Sequence, residues 1–190
     1  TTSVISGYAQ DNGANPSTYP VPTALDYSAL GITGMGGTGQ PTVAMINSAL
    51  ATAEVIGNEA DNQSKVQGIV SAYQVILNNA AAANATDAGQ VTNATGQQYL
   101  DIGVTGMNLA HEVSLLGDVI DGKAIADVST VAAIQALATA VQAVMDANAT
   151  TAQLARLGVT SDPPKPRSHP SRAGRRHRCY SAQYACWTAN

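Results

Sequence analysis

A short motif occurs three times in this chain, and such a repeat constrains the fold more than any other feature. Its central glycines are separated by 72 and 55 residues. The unequal spacing predicts a repeated unit with insertions, and not a strict solenoid. The three copies are Tyr27–Met35 (YSALGITGM), Tyr99–Met107 (YLDIGVTGM) and Leu154–Ser161 (LARLGVTS), with central glycines Gly31, Gly103 and Gly158.

The motif has the pattern of a helix ending. A glycine just after a helix adopts the left-handed conformation at low cost because it has no Cβ. The aliphatic residue after the glycine is expected to fold back onto the helix, and the threonine to hydrogen-bond a backbone group in the turn. We therefore predict a structural role for the motif positions, which are Gly31, Thr33, Gly34, Gly103, Thr105, Gly106, Gly158 and Thr160.

Apolar residues recur at helical spacing after each of the first two copies. After the first copy, a helix is predicted from Val43 to Val55 with Gly57 as its end, and Asp61 is the predicted N-cap of the next. After the second, Asn108 is predicted to begin a helix that ends at Gly122, and Asp127 or Ser129 to cap a longer one. Thr150 or Thr151 is predicted to open a short helix. This pattern indicates an all-α fold of about two repeated helical hairpins with short linking helices.

The predicted organisation has five parts. Residues 1–22 contain Pro16, Pro20 and Pro22 among Gly, Asn, Ser and Thr, so they are expected to form an extended leader or linker. Repeat unit 1 covers residues 23–95, repeat unit 2 covers residues 96–153, and residues 154–162 begin a truncated third unit. Residues 163–190 form a basic tail rich in Pro and Arg, which is predicted to be disordered.

The charges are divided unevenly along the chain. Residues 1–156 contain twelve acidic and three basic residues, whereas residues 157–190 contain one acidic and six basic residues. The acidic body argues against nucleic-acid binding, which needs Lys and Arg on the surface. It is poor in Lys and rich in Ala, Gly, Thr and Asn, as is typical of secreted bacterial surface proteins. No apolar run is long enough for a transmembrane segment, and no signal peptide is visible.

Three interpretations of the tail remain open. It is a basic arm for anionic surfaces, a functional anchor, or sequence from another reading frame or an expression vector. The abrupt change within the third motif copy favours the last. Cys179 and Cys186 either form a local disulfide in an oxidising compartment or are incidental.

The search for catalytic or cofactor-binding patterns finds none that is complete. The glycine-rich run Gly34–Gly39 lacks the Gly-Lys-Ser/Thr ending of a phosphate loop. His111 and Glu112 begin a His-Glu-x-x-His zinc pattern, but Leu115 occupies the position of its second histidine. We therefore predict no enzyme activity, no catalytic residue and no cofactor.

Calcium binding is the one alternative to the prediction that the chain holds no cofactor. Acidic residues cluster near helix ends, and carboxylate oxygens are calcium ligands. Helix capping explains the same residues with fewer assumptions, and their spacing does not match an EF-hand. The residues concerned are Glu59, Asp61, Asp118, Asp121 and Asp127.

The motif Tyr-x-x-Leu/Ile-Gly-Ile/Val-Thr-Gly with Ala/Val-rich helices resembles the helical repeat segments of giant bacterial surface adhesins. These belong to the RTX-type and biofilm-associated, type I-secreted class. Pro22–Gly34 and Val131–Val141 are the most similar segments, and the resemblance covers residues 22–160. It implies an extracellular spacer that supports cell adhesion or biofilm formation, secreted or at the cell surface. The Gly-Gly-x-Gly-x-Asp nonapeptides of the RTX calcium region are missing, so the resemblance concerns repeat modules alone.

Two other functions remain alternatives. The chain is either a self-assembling subunit of an extracellular filament or surface layer, or a secreted helical binding module with Tyr73 or Tyr99 lining a groove. The expected partners are neighbouring repeat units or copies of the chain itself, and the adhesion ligand is not specified. Concentration-dependent assembly favours the filament, whereas a rigid elongated monomer favours the spacer.

Overall fold

The computed structural model describes residues 2–14, 18–82 and 92–159. Within these ranges there are eight α-helices, two short 3-10 helices and no β-strand, so the all-α prediction is confirmed. The α-helices are α1 (Thr2–Gln10), α2 (Ala24–Ala29), α3 (Val43–Leu50), α4 (Gln63–Ala82), α5 (Gly96–Asp101), α6 (Ala110–Asp121), α7 (Val131–Met145) and α8 (Thr151–Arg156). The first 3-10 helix spans Gly57–Ala60 and the second spans Ile125–Val128.

The longest helix, α4, lies at the centre of the packing. It contacts α3, α5, α6 and both 3-10 helices, because its apolar residues recur at helical spacing. One hydrophobic cluster extends from Ile5 in α1 to Val141 in α7, and the described residues belong to one compact unit. The division of this unit into repeats at residue 95 stays a prediction. The buried residues of α4 include Val66, Ile69, Val70, Tyr73, Ile76, Leu77 and Ala80.

The prediction of an extended leader was wrong for its first part, because Thr2–Gln10 forms α1. Ile5, Tyr8 and Ala9 lie one helical turn apart and are buried, so tertiary packing outweighs the weak helix propensity of the segment. The Ser6 hydroxyl donates a hydrogen bond of 2.9 Å to the Gly57 carbonyl. The three prolines of the segment follow α1 in the sequence and do not interrupt it.

Several predicted helix boundaries shift. Helix α3 ends at Leu50 instead of Val55, and Gly57 begins the first 3-10 helix. Helix α4 is capped by Asn62 instead of Asp61, since the Asn62 side chain accepts a hydrogen bond from the Lys65 amide at 3.1 Å.

Two further predicted caps move by one residue or more. Leu109 precedes α6, where Asn108 was predicted, because the Glu112 carboxylate accepts from the backbone amides of both residues. Thr130 caps α7 instead of Asp127 or Ser129. The predictions that Gly122 ends α6 and that Thr150 opens α8 are confirmed.

The tail and the last motif residue, Thr160, lie outside the described residues, as do residues 83–91. The predictions for them stay predictions. None of the described helices combines the length and apolar character needed to cross a bilayer.

Three buried tyrosines supply most of the aromatic core. The Tyr27 hydroxyl donates to Asn47 Oδ1 at 2.6 Å, and the Tyr73 hydroxyl donates to the Val128 carbonyl at 2.9 Å. Tyr99 is 0% exposed, and its hydroxyl has no hydrogen-bond partner among the described residues. Burial raises the pKa of all three phenols above the ordinary value, because the charged phenolate loses its hydration.

We expect Tyr99→Phe to leave the free energy of unfolding unchanged or to raise it by up to about 1 kcal/mol, because it removes a buried hydroxyl with no partner. Tyr27→Phe should lower the free energy of unfolding by about 1–2 kcal/mol, because it leaves Asn47 Oδ1 without its donor. Urea unfolding at pH 7 measures both. A larger loss from Tyr99→Phe than from Tyr27→Phe would contradict this assignment.

The raised pKa values of these three tyrosines predict that the folded state loses stability at alkaline pH. Their folded-state pKa values are raised, so the stabilisation they give is complete below the unfolded pKa of about 10 and is lost as the pH rises beyond it. Tyr99→Phe should therefore reduce the fall in unfolding free energy between pH 9 and pH 11.5. Urea unfolding of the unsubstituted chain over the same pH range is the reference, and an equal fall in both proteins would contradict the prediction.

Candidate functional site

Each motif copy ends a six-residue helix with the same pair of backbone hydrogen bonds. At the first copy, the Gly31 amide donates to the Ser28 carbonyl at 2.9 Å and the Ile32 amide donates to the Tyr27 carbonyl at 3.0 Å. This is the Schellman arrangement, in which two otherwise unpaired helix carbonyls are satisfied. Gly31 has a φ of 81°, which is the left-handed conformation that the arrangement requires.

The other two copies form the same ending. The Val104 amide donates to the Tyr99 carbonyl at 2.9 Å, and the Val159 amide donates to the Leu154 carbonyl at 3.0 Å. Gly103 and Gly158 both have a φ of 89°. The first residue of each motif copy therefore supplies the carbonyl, and the residue after the glycine supplies the amide. The second glycines of the first two copies, Gly34 and Gly106, also have positive φ, at 76° and 87°.

The helices that lead into the motif also begin alike. A threonine precedes each helix, and its amide donates at 2.8 Å to a side chain three residues later. These side chains form a capping box, which satisfies amides at the start of the helix. The threonine–acceptor pairs are Thr23–Asp26, Thr95–Gln98 and Thr150–Gln153. The hydrogen bond from the Thr23 hydroxyl is the main cause that lowers the pKa of Asp26.

Sequence analysis anticipated Thr150 but missed Thr23, Thr95 and the three acceptor side chains, although a signal was present. In all three copies the threonine lies eight residues before the central glycine, and the Asp or Gln lies five residues before it. The pattern that recurs within this chain is therefore Thr-x-x-Asp/Gln followed by the motif. Thr, Asp and Gln are common residues, so the pattern becomes evident only when the three helices are aligned by their ends.

The motif threonines pair with glutamines on the long helices. The Thr33 amide donates to Gln67 Oε1 at 3.0 Å, and Gln67 Nε2 donates to the Thr33 carbonyl at 3.2 Å. In the second copy, the Thr105 amide donates to Gln135 Oε1 at 2.8 Å, and Gln135 Nε2 donates to the Thr105 carbonyl at 3.2 Å. We call each of these two-bond pairs an amide clamp. The motif threonines thus bond glutamine side chains through their backbone groups, whereas a bond to a backbone group in the turn was predicted. The Thr105 hydroxyl adds a longer bond of 3.5 Å to Gln135 Oε1.

A second glutamine lies seven residues after each clamp glutamine. Gln74 Nε2 donates to the Gly39 carbonyl at 2.8 Å, and Gln142 Nε2 donates to the Gly106 carbonyl at 2.7 Å. Seven residues are about two helical turns, so both glutamines of a pair lie on one face of the helix. Their equal spacing in α4 and α7 was visible in the sequence, but their turn partners were not.

These hydrogen bonds attach the turn of each motif copy to a long helix. The turn has peptide groups that lack helical partners, and glutamine amides can satisfy both an N–H and a C=O at once. Gly31 and Thr33 bond to side chains of α4, and Thr105 and Gly106 bond to side chains of α7. Gly34 lines the cleft beside α4, and Gly103 lies against the Thr52 side chain. Gly158 stands at the end of α8.

The acidic residues considered for calcium make local contacts. The Asp127 carboxylate accepts from the Ala124 amide at 3.1 Å, and Asp61 forms an ion pair of 3.0 Å with Lys65. Asp118 accepts a hydrogen bond of 3.4 Å from the Asn93 side chain. His111 is exposed on α6. In the described part of the chain, no three His, Cys, Asp or Glu residues come together as a metal site.

Two clefts lie beside α4. One has a volume of about 580 Å³ and lies along the first amide clamp, next to Gln67 and Gln74. The other has a volume of about 390 Å³ and is lined by apolar side chains together with the charged residues Glu54, Glu59, Lys65 and Asp101. Tyr73 and Tyr99, which were expected to line a groove in a binding module, are both fully buried.

Comparisons with protein-family models, with curated proteins and with solved structures found no match to this chain. The function is therefore argued from the geometry of the turns and from the sequence resemblance.

We expect the motif glycines to resist substitution to different degrees. Gly103→Ala should lower the free energy of unfolding by about 2–4 kcal/mol, because its φ is left-handed and an added Cβ would meet the Thr52 side chain. Gly158→Ala should lower the free energy of unfolding by only about 1–2 kcal/mol. Its added Cβ would lie in open space, so the left-handed backbone conformation is the one source of strain.

Gly68→Ala is the matched control. Gly68 lies within α4 with open space around its added Cβ, so alanine should stabilise the helix by up to about 1 kcal/mol. Urea unfolding followed by circular dichroism measures all three variants. Equal effects of Gly68→Ala and Gly103→Ala would contradict the assigned turn.

The amide clamp gives a residue-specific prediction. Gln135→Leu removes the three hydrogen bonds between this side chain and Thr105, so it should lower the free energy of unfolding by about 1–2 kcal/mol and speed hydrogen exchange of the Thr105 amide. The Thr33 amide, held by Gln67, should exchange at an unchanged rate in the same sample. Gln97→Leu, at an exposed glutamine whose side chain donates to Asp101, is the control for stability. An unaltered Thr105 exchange rate would refute the clamp.

Proposed function

We propose that the chain is a non-enzymatic helical repeat segment that acts as a spacer in a bacterial surface adhesin. The observation that carries this proposal is that one set of bonds occurs twice along the chain. A capping box, a Schellman ending and an amide clamp build residues 23–34 and again residues 95–106.

The order of elements supports a repeat that is 72 residues long in its first copy and 55 residues long in its second. Helix α2, its turn, α3, the first 3-10 helix and α4 correspond to α5, its turn, α6, the second 3-10 helix and α7. The clamp glutamines occupy equivalent places, at Gln67 and Gln74 in α4 and at Gln135 and Gln142 in α7. In this interpretation α8 begins a third unit, because it has the same capping box and the same ending.

Contacts between successive units support a mechanical role. The long helix of unit 1, α4, packs against α5, α6 and the second 3-10 helix of unit 2. Tyr73 crosses this boundary to bond the Val128 carbonyl, and Ser48 Oγ accepts from the Val131 amide at 3.1 Å. Arrays whose units are stabilised by their neighbours hold a defined spacing between their ends. This property is the one that a spacer requires.

The resemblance of the motif to adhesin repeats and the acidic, Lys-poor body support an extracellular location at a bacterial surface. A self-assembling filament or surface-layer subunit is the second candidate. Exposed apolar side chains favour it, since Leu25 is 77% exposed and Val21 is 57% exposed.

The two candidates differ in how they behave as concatemers. Proteins that carry residues 1–22 followed by one, two or three tandem copies of residues 23–149 should stay monomeric, and their maximum dimension in small-angle X-ray scattering should rise by equal increments. A two-copy protein with a flexible Gly/Ser linker at the junction is the control, and its scattering should show a broader range of dimensions. Assembly that grows with concentration in light scattering would favour the filament. A maximum dimension that fails to grow with copy number would overturn the spacer.

A further inference from the structure

The motif helix of each repeat packs on a helix that precedes it in the sequence. Helix α5 contacts the long helix α4, and α8 contacts the long helix α7. In the first copy the motif helix is α2, and the preceding helix that contacts it is α1. Helix α1 therefore has the position in unit 1 that a long helix has in the other two copies.

The two later motif helices pack on their long helices in the same register. The cleft where α5 meets α4 is lined by Ile69 of the long helix and Asp101 of the motif helix. The cleft where α8 meets α7 is lined by Leu137 and Arg156. The two long-helix residues are 68 positions apart, as are the clamp glutamines, and the two motif-helix residues are 55 positions apart, as are the motif glycines. The contact between a motif helix and the preceding helix is therefore a repeated interface.

Helix α1 also covers the rest of unit 1 as α4 covers unit 2. It contacts α2, α3 and the first 3-10 helix, whereas α4 contacts the corresponding α5, α6 and second 3-10 helix. In both cases a side-chain hydroxyl of the preceding helix donates to a carbonyl of the 3-10 helix. These bonds join Ser6 to Gly57 and Tyr73 to Val128, each at 2.9 Å.

The contact between α1 and the first 3-10 helix is close. An added Cβ at Gly57 would lie 3.0 Å from the Ser6 carbonyl oxygen and 2.9 Å from Gln10 Oε1. Ile5 and Ala9 of α1 are both 0% exposed. A helix of nine residues is too short to be stable by itself in water, so unit 1 supplies the surface that holds it.

We propose that this surface, formed by α2, α3 and the first 3-10 helix, is the docking surface for the long helix of a neighbouring repeat unit. We call it the α1 surface, and α1 fills it as a terminal cap. The inference rests on the proposed repeat function and names the partner at the start of unit 1. That partner is an amphipathic helix like α4 or α7. Terminal caps are typical of repeat arrays, because the end units have no neighbour to cover them.

The test replaces α1 with a long helix and measures whether the α1 surface stays covered. Residues 1–22 of the full chain are replaced by residues 1–149 of an added copy, so that α7 of the added copy precedes Thr23. The junction keeps the spacing of the unaltered chain, because residue 149 is followed there by Thr150, the corresponding threonine of the α8 capping box.

A single thiol reports on the α1 surface. Ala60, which is 0% exposed in the first 3-10 helix, is changed to Cys in the original copy, and Cys179 and Cys186 are changed to Ser. The sequence has no other cysteine. A buried thiol reacts with a maleimide only when its cover opens, so the labelling rate measures that cover.

Two chains with the same three substitutions give the limits. The full chain has α1 on the surface, and a chain that begins at residue 23 lacks it. Labelling in the extended chain should be within about twofold of the rate in the full chain, and at least about tenfold slower than in the chain that begins at residue 23.

A matched pair of variants shows whether α7 is the cover. Leu137→Ser in the added copy should speed labelling at least about fivefold, because Leu137 there would meet α2 of the original copy. The same substitution in the original copy is the control, since Leu137 there meets α8, and it should leave the labelling rate unchanged. Circular dichroism checks that both variants keep their helix content.

Three outcomes would overturn the proposal. Labelling of the extended chain as fast as that of the chain beginning at residue 23 would show that α7 does not dock. Slow labelling of the chain beginning at residue 23 would show that the α1 surface needs no helix to cover it. Equal effects of the two Leu137→Ser variants would place α7 elsewhere. If any of these occurs while the concatemers lengthen by equal increments, this inference falls and the spacer function stands.

Discussion

The reversal of the chain after each short helix is the constraint on which the rest of the structure depends. A chain that leaves a helix has carbonyls without helical partners, and the turn that follows has amides and carbonyls of its own. The glycine ending satisfies the helix carbonyls, and the amide clamps satisfy the turn. Because the clamp glutamines lie on α4 and α7, the same bonds that complete each turn also fix the long helices.

The composition of the core explains why the parts depend on one another. Ala and β-branched residues bury little area per side chain, so a single hairpin gains limited stability from its own contacts. The hydrophobic cluster instead extends across both predicted units, with α4 at its centre. Tyr73 joins α4 to the second 3-10 helix by a buried hydrogen bond. This sharing of stability is consistent with a segment that holds its neighbours at a fixed spacing.

The two ends of the described structure differ in how well sequence reasoning anticipated them. The motif in α8 was recognised from Gly158, because a glycine after an apolar helix is a strong local signal. Helix α1 was missed, because its Gly, Ser and Thr content indicated a linker, while Ile5 and Ala9 are buried only through contacts with distant segments. The caps of α4 and α7 moved by one residue or more because neighbouring Asp, Asn, Ser and Thr can all serve as caps.

The sequence by itself determined the helical class, the glycine endings and the existence of a repeated motif, because these depend on residues within one or two helical turns. It also contained the capping boxes, whose partners are three residues apart. Only the tertiary structure decided that Gln67 pairs with Thr33 and Gln135 with Thr105, across 34 and 30 residues. A glutamine in an amphipathic helix gives no local sign of its partner, since any turn brought to that face would serve. The packing of α4 and α7 determines which turn each glutamine meets, so these glutamine–threonine pairs could not be predicted from the sequence.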